Sequence, residues 1–591
     1  MGDHFLAWKR SFASTTLPGA TVLGLLALMV TVPFLVPIHH NPIPSFYEEW
    51  AAFFLGTAAA FAGTLFRPLR VAIPGLAALP GFLLLIVLGQ WLAGIPVYRE
   101  AVLFQGGYLA WGGLMLILGA TLKQQLGAAS LFGALATAAL AGSLLSAMLG
   151  IMQYTHFPLP SGLLFPAVTG RIVANIAQPN LLASQLWIGI AAAIYLLAQG
   201  RLSMRAALPA VLALGFTAGL TISRMAILEG LLLLVIGLIF RNRSGCGDFR
   251  PRTVLVLSGL IALAAGSVAL KTWPVVGQAA DTVAVLDRLS SKSLSGDARI
   301  ALWRDTLSLI ADHPLRGNGV GNFPWRMVEA AARAPAGAIT YPGAEHAHNA
   351  LLQVAADFGL PALLVCLFLL WRWARQIELD ETGVEQWAVD VLAIIGLHSM
   401  LEYPLWDAQF LGLAALAAGA IAARPKITVF PNSSTLLRLG FAGAILALIP
   451  LRLDYGALDD ATNYRSTRQP SEAEWRQRMQ VVAQLATHSG LGAYANIALG
   501  ELLQPEKKLA RDQALVCERA MGIWPDPVVI THCAVLRLLA GRGREADELM
   551  TTVGLAFRDG QQRQAISYAL SAAEKKNPEV HRLGVLWGKQ D

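Results

Sequence analysis

The sequence predicts an all-α membrane protein: a polytopic bundle of about 12–13 transmembrane helices with a large polar loop and a C-terminal helical domain. Hydrophobic residues make up 55% of the 591 residues, charged residues only 14%, and the mean hydropathy is +0.54. In soluble domains about a quarter of all residues are charged, so this composition argues against a soluble protein. Apolar stretches long enough to cross a bilayer, roughly 17 to 25 residues each, recur along most of the chain.

Apolar stretches of this length number about thirteen. They lie near residues 17–38, 50–66, 71–89, 101–121, 129–152, 182–199, 205–221, 225–240, 253–272, 349–371, 386–401, 407–423 and 435–452. The first is too long for a signal-peptide core and lacks a small-residue cleavage pattern, so we expect a retained helix. The predicted units are N-terminal transmembrane helices (1–272), a large loop (273–348), C-terminal transmembrane helices (349–452) and a helical tail (453–591).

The positions of lysine and arginine predict the orientation of the bundle. These residues collect in alternate loops, which the positive-inside rule assigns to the cytoplasm. They are Lys9, Arg10, Arg67, Arg70, Lys123, Arg201, Arg205, Arg241, Arg243, Arg250, Arg252, Arg372, Arg375, Arg424 and Lys426. The loop 273–348 and the tail then face outward, which in a bacterial inner membrane is the periplasmic side. The net charge of +7 follows from this topology and does not indicate a nucleic-acid partner.

The tail has helical periodicity, and its segment LLAGRGREADELM has the helix, glycine turn, helix rhythm of tetratricopeptide-like pairs without a clean repeat. We expect a small α-helical domain that contacts a partner or the membrane bundle. Cys517 and Cys533 lie on consecutive helices of this tail, where they form either a disulfide or two buried thiols. The other two cysteines, Cys246 and Cys366, are expected to be inert.

Two arginines on the predicted outer side are candidates for binding an anion. Arg224, in TISRMAILEG, lies at the outer end of a span, where a charge is costly unless it has a partner or a ligand; a snorkelling side chain is the alternative. Arg299 opens an amphipathic helix in the large loop. The glycines of GNGVGN follow a helix and lack a Lys-Ser/Thr pair, so we interpret them as a turn and not a phosphate loop.

The motif EHAHNALLQ contains His346 and His348 immediately before an apolar stretch. An imidazole at the outer mouth of a span suits a general base near neutral pH. Interfacial capping and metal binding are the alternatives. A lone H-x-H pair is a weak pattern for a metal site, so we expect no metal ion.

In combination, these residues carry a family resemblance. Arg299, Trp303, DHPLRGNGVGNF and HAHNALLQVAADFGLPALL resemble the core of the O-antigen ligase and polymerase superfamily of membrane glycosyltransferases. VANIAQPNLLASQLW, PIHHNPIPSFYEEW and LHSMLEYPLWDAQFLG, followed by LDYGAL and a helical tail, are similar to the branch of protein O-oligosaccharyltransferases that glycosylate pilins. The motifs are individually short, but they occur in order over nearly the whole chain.

The resemblance implies transfer of a glycan from undecaprenyl diphosphate to a Ser or Thr hydroxyl of a periplasmic, pilin-like protein, without a metal or nucleotide cofactor. It implies that Arg224 and Arg299 neutralise the diphosphate and that His348 is the base, with His346 as the second choice. The remaining candidates, assigned to substrate binding or to the acceptor entrance, are Asn349, Gln178, Asn180, Arg288, His40, Glu48 and Glu402.

Three other functions compete with this interpretation. An O-antigen ligase would use a lipid A core sugar as its acceptor, and a polymerase would join repeat units. The helical tail and the QPN segment favour a protein acceptor. A lipid or polysaccharide transporter would also be polytopic, but its ionisable residues are expected near the middle of the membrane, whereas these candidates gather at the outer rim.

Overall fold

The computed structural model describes residues 17–588, apart from residues 97, 161, 167–170, 241–248, 274–293, 379–382, 431–433 and 464–470. Arg288, a predicted substrate-binding residue, and Cys246 lie outside the described residues. The described chain is helical almost throughout, which confirms the predicted all-α class.

The first half of the chain forms α1 (Leu17–Met29), α2 (Phe46–Gly63), α3 (Ala78–Leu92), α4 (Arg99–Leu126), α5 (Ala128–Tyr154), α6 (Pro179–Ala198), α7 (Met204–Leu220), α8 (Arg224–Phe240) and α9 (Phe249–Thr272). The segment after it forms α10 (Leu294–Asp312), α11 (Phe323–Arg333), α12 (Ala350–Phe358), α13 (Leu360–Arg375), α14 (Gln386–Ser399), α15 (Ala408–Ala420) and α16 (Thr435–Thr462). The tail forms α17 (Glu472–His488), α18 (Gly492–Leu502), α19 (Ala510–Ile523), α20 (Pro527–Leu539), α21 (Gly543–Ala556), α22 (Gly560–Lys576) and α23 (His581–Gly588).

Among the described residues, seven helices are long and apolar enough to cross a membrane by length and composition. They are Leu17–Leu35, Gly75–Leu92, Arg99–Leu126, Ala128–Tyr154, Pro179–Ala198, Arg250–Thr272 and Thr435–Thr462. The other six predicted spans also correspond to helices, but these helices are shorter, interrupted or begin with charged residues. The multi-pass architecture is therefore present, and the count of about thirteen crossings stays a prediction.

The predicted span 349–371 is divided into α12 and α13 at Gly359. This residue has φ +89°, and a Cβ atom there would lie 2.5 Å from the carbonyl oxygen of Leu315. Glycine is therefore required both by the backbone conformation and by the close approach of the preceding loop. The break leaves α12 as a short helix directly after the histidine motif.

Two short strands, β1 (Leu69–Ile73) and β2 (Lys426–Phe430), pair in antiparallel register. Leu69 is opposite Phe430 and Ile73 is opposite Lys426. These strands were not expected from the sequence, since β2 lies in a loop between predicted spans and β1 overlaps the start of the predicted span 71–89. They join the connection after α2 to the connection before α16, so they hold distant parts of the chain together on the side predicted to be cytoplasmic.

The core of the membrane bundle is centred on α6, whose side chains are buried along nearly its whole length. This helix contacts α5, α7, α8 and α14, and Trp187 and Trp387 are fully buried at this centre. A helix that is apolar all round suits such an interior position. Consequently, the polar residues at the N-terminal end of α6 face other helices of the bundle.

The tail forms successive helix pairs, and Cys517 of α19 and Cys533 of α20 are joined by a disulfide. It does not stand apart from the rest of the chain. Val328 and Ala331 of α11 belong to its apolar core, and the Arg558 guanidinium donates to the carbonyl oxygen of Pro335 at 2.7 Å. The tail is thus docked on the helix that precedes the histidine motif.

Candidate active site

The centre of the candidate site is the carboxylate of Glu402, in the loop between α14 and α15. Its Oε2 lies 2.9 Å from Nδ1 of His348, and its Oε1 accepts hydrogen bonds from the Arg299 guanidinium and, at 3.2 Å, from Nδ2 of Asn180. Residues from four separate parts of the sequence therefore meet at one carboxylate. We call these four residues the Glu402 cluster.

Burial and charge act in opposite directions on Glu402. Only 8% of its side chain is exposed. Burial tends to raise the pKa of this carboxyl, but the hydrogen bond and charge of His348 and the charge of Arg299 outweigh it, so the pKa lies below its ordinary value. The carboxylate is therefore ionised at neutral pH. The sequence analysis assigned Glu402 to the acceptor entrance, whereas the structure has it buried and already engaged by three side chains.

His348 is held by contacts to its neighbours in the loop. The backbone N–H of Ala347 donates to Oε1 of Gln353 at 2.7 Å, and the carbonyl oxygen of Ala347 accepts from Nε1 of Trp303 at 3.0 Å. Ala347 is fully buried, and His348 itself has φ +50°, a conformation that costs free energy in a residue other than glycine. These contacts aim the imidazole at Glu402 while leaving 32% of its side chain exposed.

His346 lies in a different environment. Its ring centroid is 4.6 Å from that of Tyr403 and 5.0 Å from that of Trp406. Burial lowers its pKa to about 3, and the charge of His348 acts in the same direction. His346 is therefore neutral and weakly basic at neutral pH, whereas His348 contacts a carboxylate. The two histidines of the motif are not equivalent.

Arg299 lies near the start of α10 and is part of the cluster, as is Asn180 near the start of α6. The Asn180 side chain connects two groups: its Nδ2 donates to Glu402, and its Oδ1 accepts from Oγ of Ser223 at 2.7 Å. Ser223 immediately precedes Arg224, the first residue of α8. The structure therefore brings the start of α8 beside the cluster through Asn180.

The loops around Asn180 also adopt uncommon backbone conformations. Ile222 has φ +49° and Ala177 has φ +60°. The guanidinium of Arg171 donates to the carbonyl oxygen of Thr221 at 2.7 Å and to Oδ1 of Asn180 at 3.5 Å. The sequence analysis did not single out Arg171 or Ser223. In the sequence, the one indication for these two residues was that they lie in loops predicted to be on the outer side. The left-handed backbone of the β-branched Ile222 cannot be read from a sequence pattern.

The remaining predicted residues have local roles in the structure. Gln178 caps α6, because its Oε1 accepts from the backbone N–H of Leu181 at 2.6 Å. Asn349 caps α12 through its Oδ1, and its Nδ2 donates to the carbonyl oxygen of Met400 at 3.0 Å. Asn349 therefore ties the histidine motif to the loop that carries Glu402.

His40 and Glu48 are not among the side chains that contact Glu402. Nδ1 of His40 lies 2.7 Å from Oδ1 of Asp459 on α16. The same carboxylate accepts from the Tyr47 hydroxyl at 2.7 Å. Glu48 is buried at the start of α2. His40 therefore belongs to a separate polar group with Tyr47 and Asp459, whereas Glu48 lies near Asp407 and Gln409 at the start of α15.

The glycine motif is a turn, as expected. Gly317, Gly319 and Gly321 have φ values of +70°, +88° and +78°. A Cβ on Gly317 would lie 2.3 Å from the carbonyl oxygen of Asp357, and one on Gly319 would lie 2.6 Å from Cγ2 of Ile95. The turn docks the large loop against α12 and against the connection between α3 and α4, and so supports the segment that carries both Arg299 and His348.

Comparison with known proteins gives two family matches. Residues 209–367 match the family described as O-antigen ligase, and residues 386–571 match the family described as the C-terminal part of virulence factor membrane-bound polymerases. The first region contains Arg224, Arg299 and His348, and the second contains Glu402 and the disulfide. The chain is also 25% identical over 446 residues to a general O-oligosaccharyltransferase of Acinetobacter baylyi, covering 73% of this chain and 76% of that protein.

Proposed function

Because the chain belongs to the O-antigen ligase superfamily of membrane glycosyltransferases, we propose that it transfers a glycan from undecaprenyl diphosphate to Ser or Thr hydroxyls of periplasmic proteins such as pilin. The observation that carries the proposal is the Glu402 cluster, in which one buried carboxylate joins an imidazole and a guanidinium. A base and a cation held side by side suit a reaction in which a hydroxyl loses a proton while a diphosphate leaves.

His348 is the proposed general base. When Nδ1–H of the neutral ring donates to Glu402, Nε2 keeps its lone pair and can accept the proton of the acceptor hydroxyl. The negative carboxylate then stabilises the imidazolium that forms, as in other arrangements of nucleophile, base and orienting acid. His346 is unsuited to this role, because burial lowers its pKa to about 3, far from the operating pH.

Arg299 and Arg224 are the proposed diphosphate ligands. The Arg299 guanidinium donates to Glu402 through one terminal nitrogen and carries five N–H donors in all, so donors remain for phosphate oxygens. Arg224 begins α8 beside Ser223 and Asn180. Two arginines would supply the positive charge that the leaving diphosphate needs, so the assigned chemistry requires no metal ion.

In the proposed step one bond forms, one bond breaks and one proton moves. The acceptor oxygen forms a bond to the anomeric carbon of the first sugar, and the bond between that carbon and the diphosphate oxygen breaks. The proton of the acceptor hydroxyl passes to Nε2 of His348, and undecaprenyl diphosphate leaves with its charge opposed by the arginines. His348 then returns the proton to water.

Two observations support a periplasmic site and a protein acceptor. The disulfide between Cys517 and Cys533 suits an oxidising compartment, and the tail that contains it is docked beside α11 on the same side as the cluster. The relative in Acinetobacter baylyi is described as a general O-oligosaccharyltransferase, and the match covers 73% of this chain. The tail offers a surface for a protein acceptor that a simple sugar acceptor would not need.

The decisive experiment expresses the chain in a bacterial host that lacks its own ligases but makes an undecaprenyl-diphosphate-linked oligosaccharide and a pilin acceptor. We expect glycosylated pilin with the wild-type chain and none with His348→Ala. His313→Ala, which changes another histidine of the same large loop, is the matched control and should keep transfer. Modified lipopolysaccharide with unmodified pilin would support a ligase instead, and lengthened glycan chains alone would support a polymerase.

A further inference from the structure

Three fully buried polar side chains lie beneath the Glu402 cluster, where the mechanism above does not use them. They are Ser184 on α6, Glu229 on α8 and His398 on α14, each with 0% exposed surface. Oγ of Ser184 lies 2.6 Å from Nδ1 of His398 and also bonds Oε1 of Glu229. A carboxyl group, a hydroxyl and an imidazole therefore form one hydrogen-bonded chain inside the bundle, and below "the chain" means these three side chains.

The serine hydroxyl has a single proton, and its Oγ lies near Glu229, His398 and, at 3.3 Å, the carbonyl oxygen of Asn180, so it donates to one of them at a time. Two arrangements of equal proton count place this proton between Glu229 and His398. In the first, Ser184 donates to an ionised Glu229 and accepts from Nδ1–H of a protonated His398. In the second, a protonated Glu229 donates to Ser184, and Ser184 donates to the lone pair on Nδ1 of a neutral His398. Both arrangements contain the same number of protons, and they differ in whether the chain contains separated charges.

Burial favours the second arrangement. Among the described residues, Oε2 of Glu229 and Nε2 of His398 are buried and have no hydrogen-bond partner. An ionised carboxylate or imidazolium with an unsatisfied polar atom in such a place is much more costly than a neutral group with the same atom unsatisfied. The neutral arrangement keeps the hydrogen bonds of Ser184 to both Glu229 and His398.

The hydrogen-bonded chain is joined to the Glu402 cluster through α6 and through the end of α14 with the loop that follows it. Asn180 and Ser184 are one turn apart on α6, and the backbone N–H of Glu402, just after α14, donates to the carbonyl oxygen of His398 at 2.8 Å. Asn180 bonds Glu402 at 3.2 Å, and Ser184 contacts His398 one turn below. These contacts form two successive links between the same pair of chain segments.

The charge on His398 matters because the groups that interact with it electrostatically are the members of the cluster: Glu402, Arg299 and His348. The helices α5, α6 and α15 carry no Asp, Glu, Lys or Arg. The other charged side chains on the helices packed around the buried chain lie at or near helix ends: Arg205, Arg224, Arg250, Arg252, Asp390 and Lys271. Arg252 and Asp390 pair with each other at 2.8 and 3.1 Å.

We infer that Glu229 is a neutral carboxylic acid which, through Ser184, holds His398 uncharged, so that the charge of Glu402 stays committed to His348 and Arg299. Glu229, Ser184 and His398 are thus positioning residues for the base. The consequence for activity rests on the function proposed above. The protonation of Glu229 itself does not, because it depends only on the burial of the three side chains and on their hydrogen bonds.

The test compares three variants of the full chain, purified and reconstituted with the lipid-linked oligosaccharide and pilin, over a range of pH. In Ser184→Ala, we expect kcat to fall about tenfold, the effect of losing one buried hydrogen bond. Its pH–rate profile should begin to fall at a higher pH than that of wild type and show a second ionisation, since His398 can then take a proton and compete for Glu402. Ser146→Ala is the control: Ser146 is equally buried, and its Oγ has no partner among the described residues.

Glu229→Gln separates the two arrangements. A glutamine amide donates to Ser184 as a carboxylic acid does, so this variant should stay within about threefold of wild type, less than the loss of a hydrogen bond, and keep the wild-type pH profile. Loss of activity equal to that of Ser184→Ala would overturn the neutral assignment. A Ser184→Ala profile that superimposes on that of wild type would overturn the positioning role.

An infrared difference spectrum of purified wild type and Glu229→Gln at neutral pH gives a readout without any substrate. The wild type should show the carbonyl band of a protonated carboxylic acid that the variant lacks. A carboxylate band in its place would refute the inference whatever the enzyme transfers. Conversely, the carboxylic acid band together with no transfer to pilin by wild type would leave the inference standing and refute the proposed function.

Discussion

Glu402→Gln removes the charge at the centre of the cluster with almost no change in volume. The carboxylate makes two charge-assisted contacts, to His348 and to Arg299, and each such contact is worth about 1.5 to 3 kcal/mol. Glutamine keeps one oxygen acceptor, so the loss should be near the lower limit of the sum, about 3 kcal/mol in the transition state. This corresponds to a fall in kcat on the order of a hundredfold.

The assay is single-turnover transfer of the lipid-linked oligosaccharide to pilin, which separates the chemical step from product release. Glu329→Gln is the matched control, because Glu329 is a half-buried carboxylate on α11 that pairs with Arg326 outside the cluster. The reasoning would be refuted if Glu402→Gln transferred glycan at the rate of wild type. It would also be refuted if the control lost as much activity, since the effect would then be one of general stability.

Arg299→Lys should lower kcat about tenfold or more while the protein remains inserted, because lysine lacks the planar fork of arginine. Arg304→Lys, on the same helix, is the control and should keep the wild-type kcat. An Arg299→Lys variant as fast as wild type would exclude bidentate phosphate binding. Replacing Cys517 and Cys533 by serine should lower the free energy of unfolding of the tail by about 3 kcal/mol, measured by denaturant melts, and an unchanged midpoint would argue against the cross-link. Because the pKa of Glu402 is depressed in the folded protein, the stability that this carboxylate contributes is fully present above the ordinary carboxyl pKa. This stability is lost as the pH falls through the lowered pKa of the folded protein. Thermal melts of wild type should show this loss at low pH, and Glu402→Gln should lack it.

The helices could be predicted from the sequence because each depends on local apolar periodicity and length. The break at Gly359 could not, since it depends on the approach of the Leu315 carbonyl from a separate loop. In the same way, His348 and Arg299 were selected by residue type and position. Their common partner Glu402 is 103 residues from Arg299, and only packing of the bundle brings them together.

The choice between His346 and His348 also required the structure. In the sequence, both imidazoles stand before the same apolar stretch with one residue between them. In a regular extended loop, residues two positions apart point to the same side. Here His348 has the left-handed φ of +50°, and its ring contacts Glu402 as well as Tyr403, whereas the ring of His346 packs on Tyr403 and Trp406. The polar chain of Ser184, Glu229 and His398 was missed for a similar reason, because single polar residues on three separate apolar helices give no pattern.

The docking of the tail on α11 bears on how chimaeras of this protein should be built. The guanidinium of Arg558 donates to the carbonyl oxygens of Ala334 and Pro335 at 2.8 and 2.7 Å, just after α11 ends, and Val328 and Ala331 complete the apolar interior of the tail. Exchanging only residues 453–591 with those of a relative would therefore leave a mismatched joint close to the histidine motif. A graft that carries α11 together with the tail keeps this interface native, so the tail can be exchanged without disturbing the segment that leads to the histidine motif.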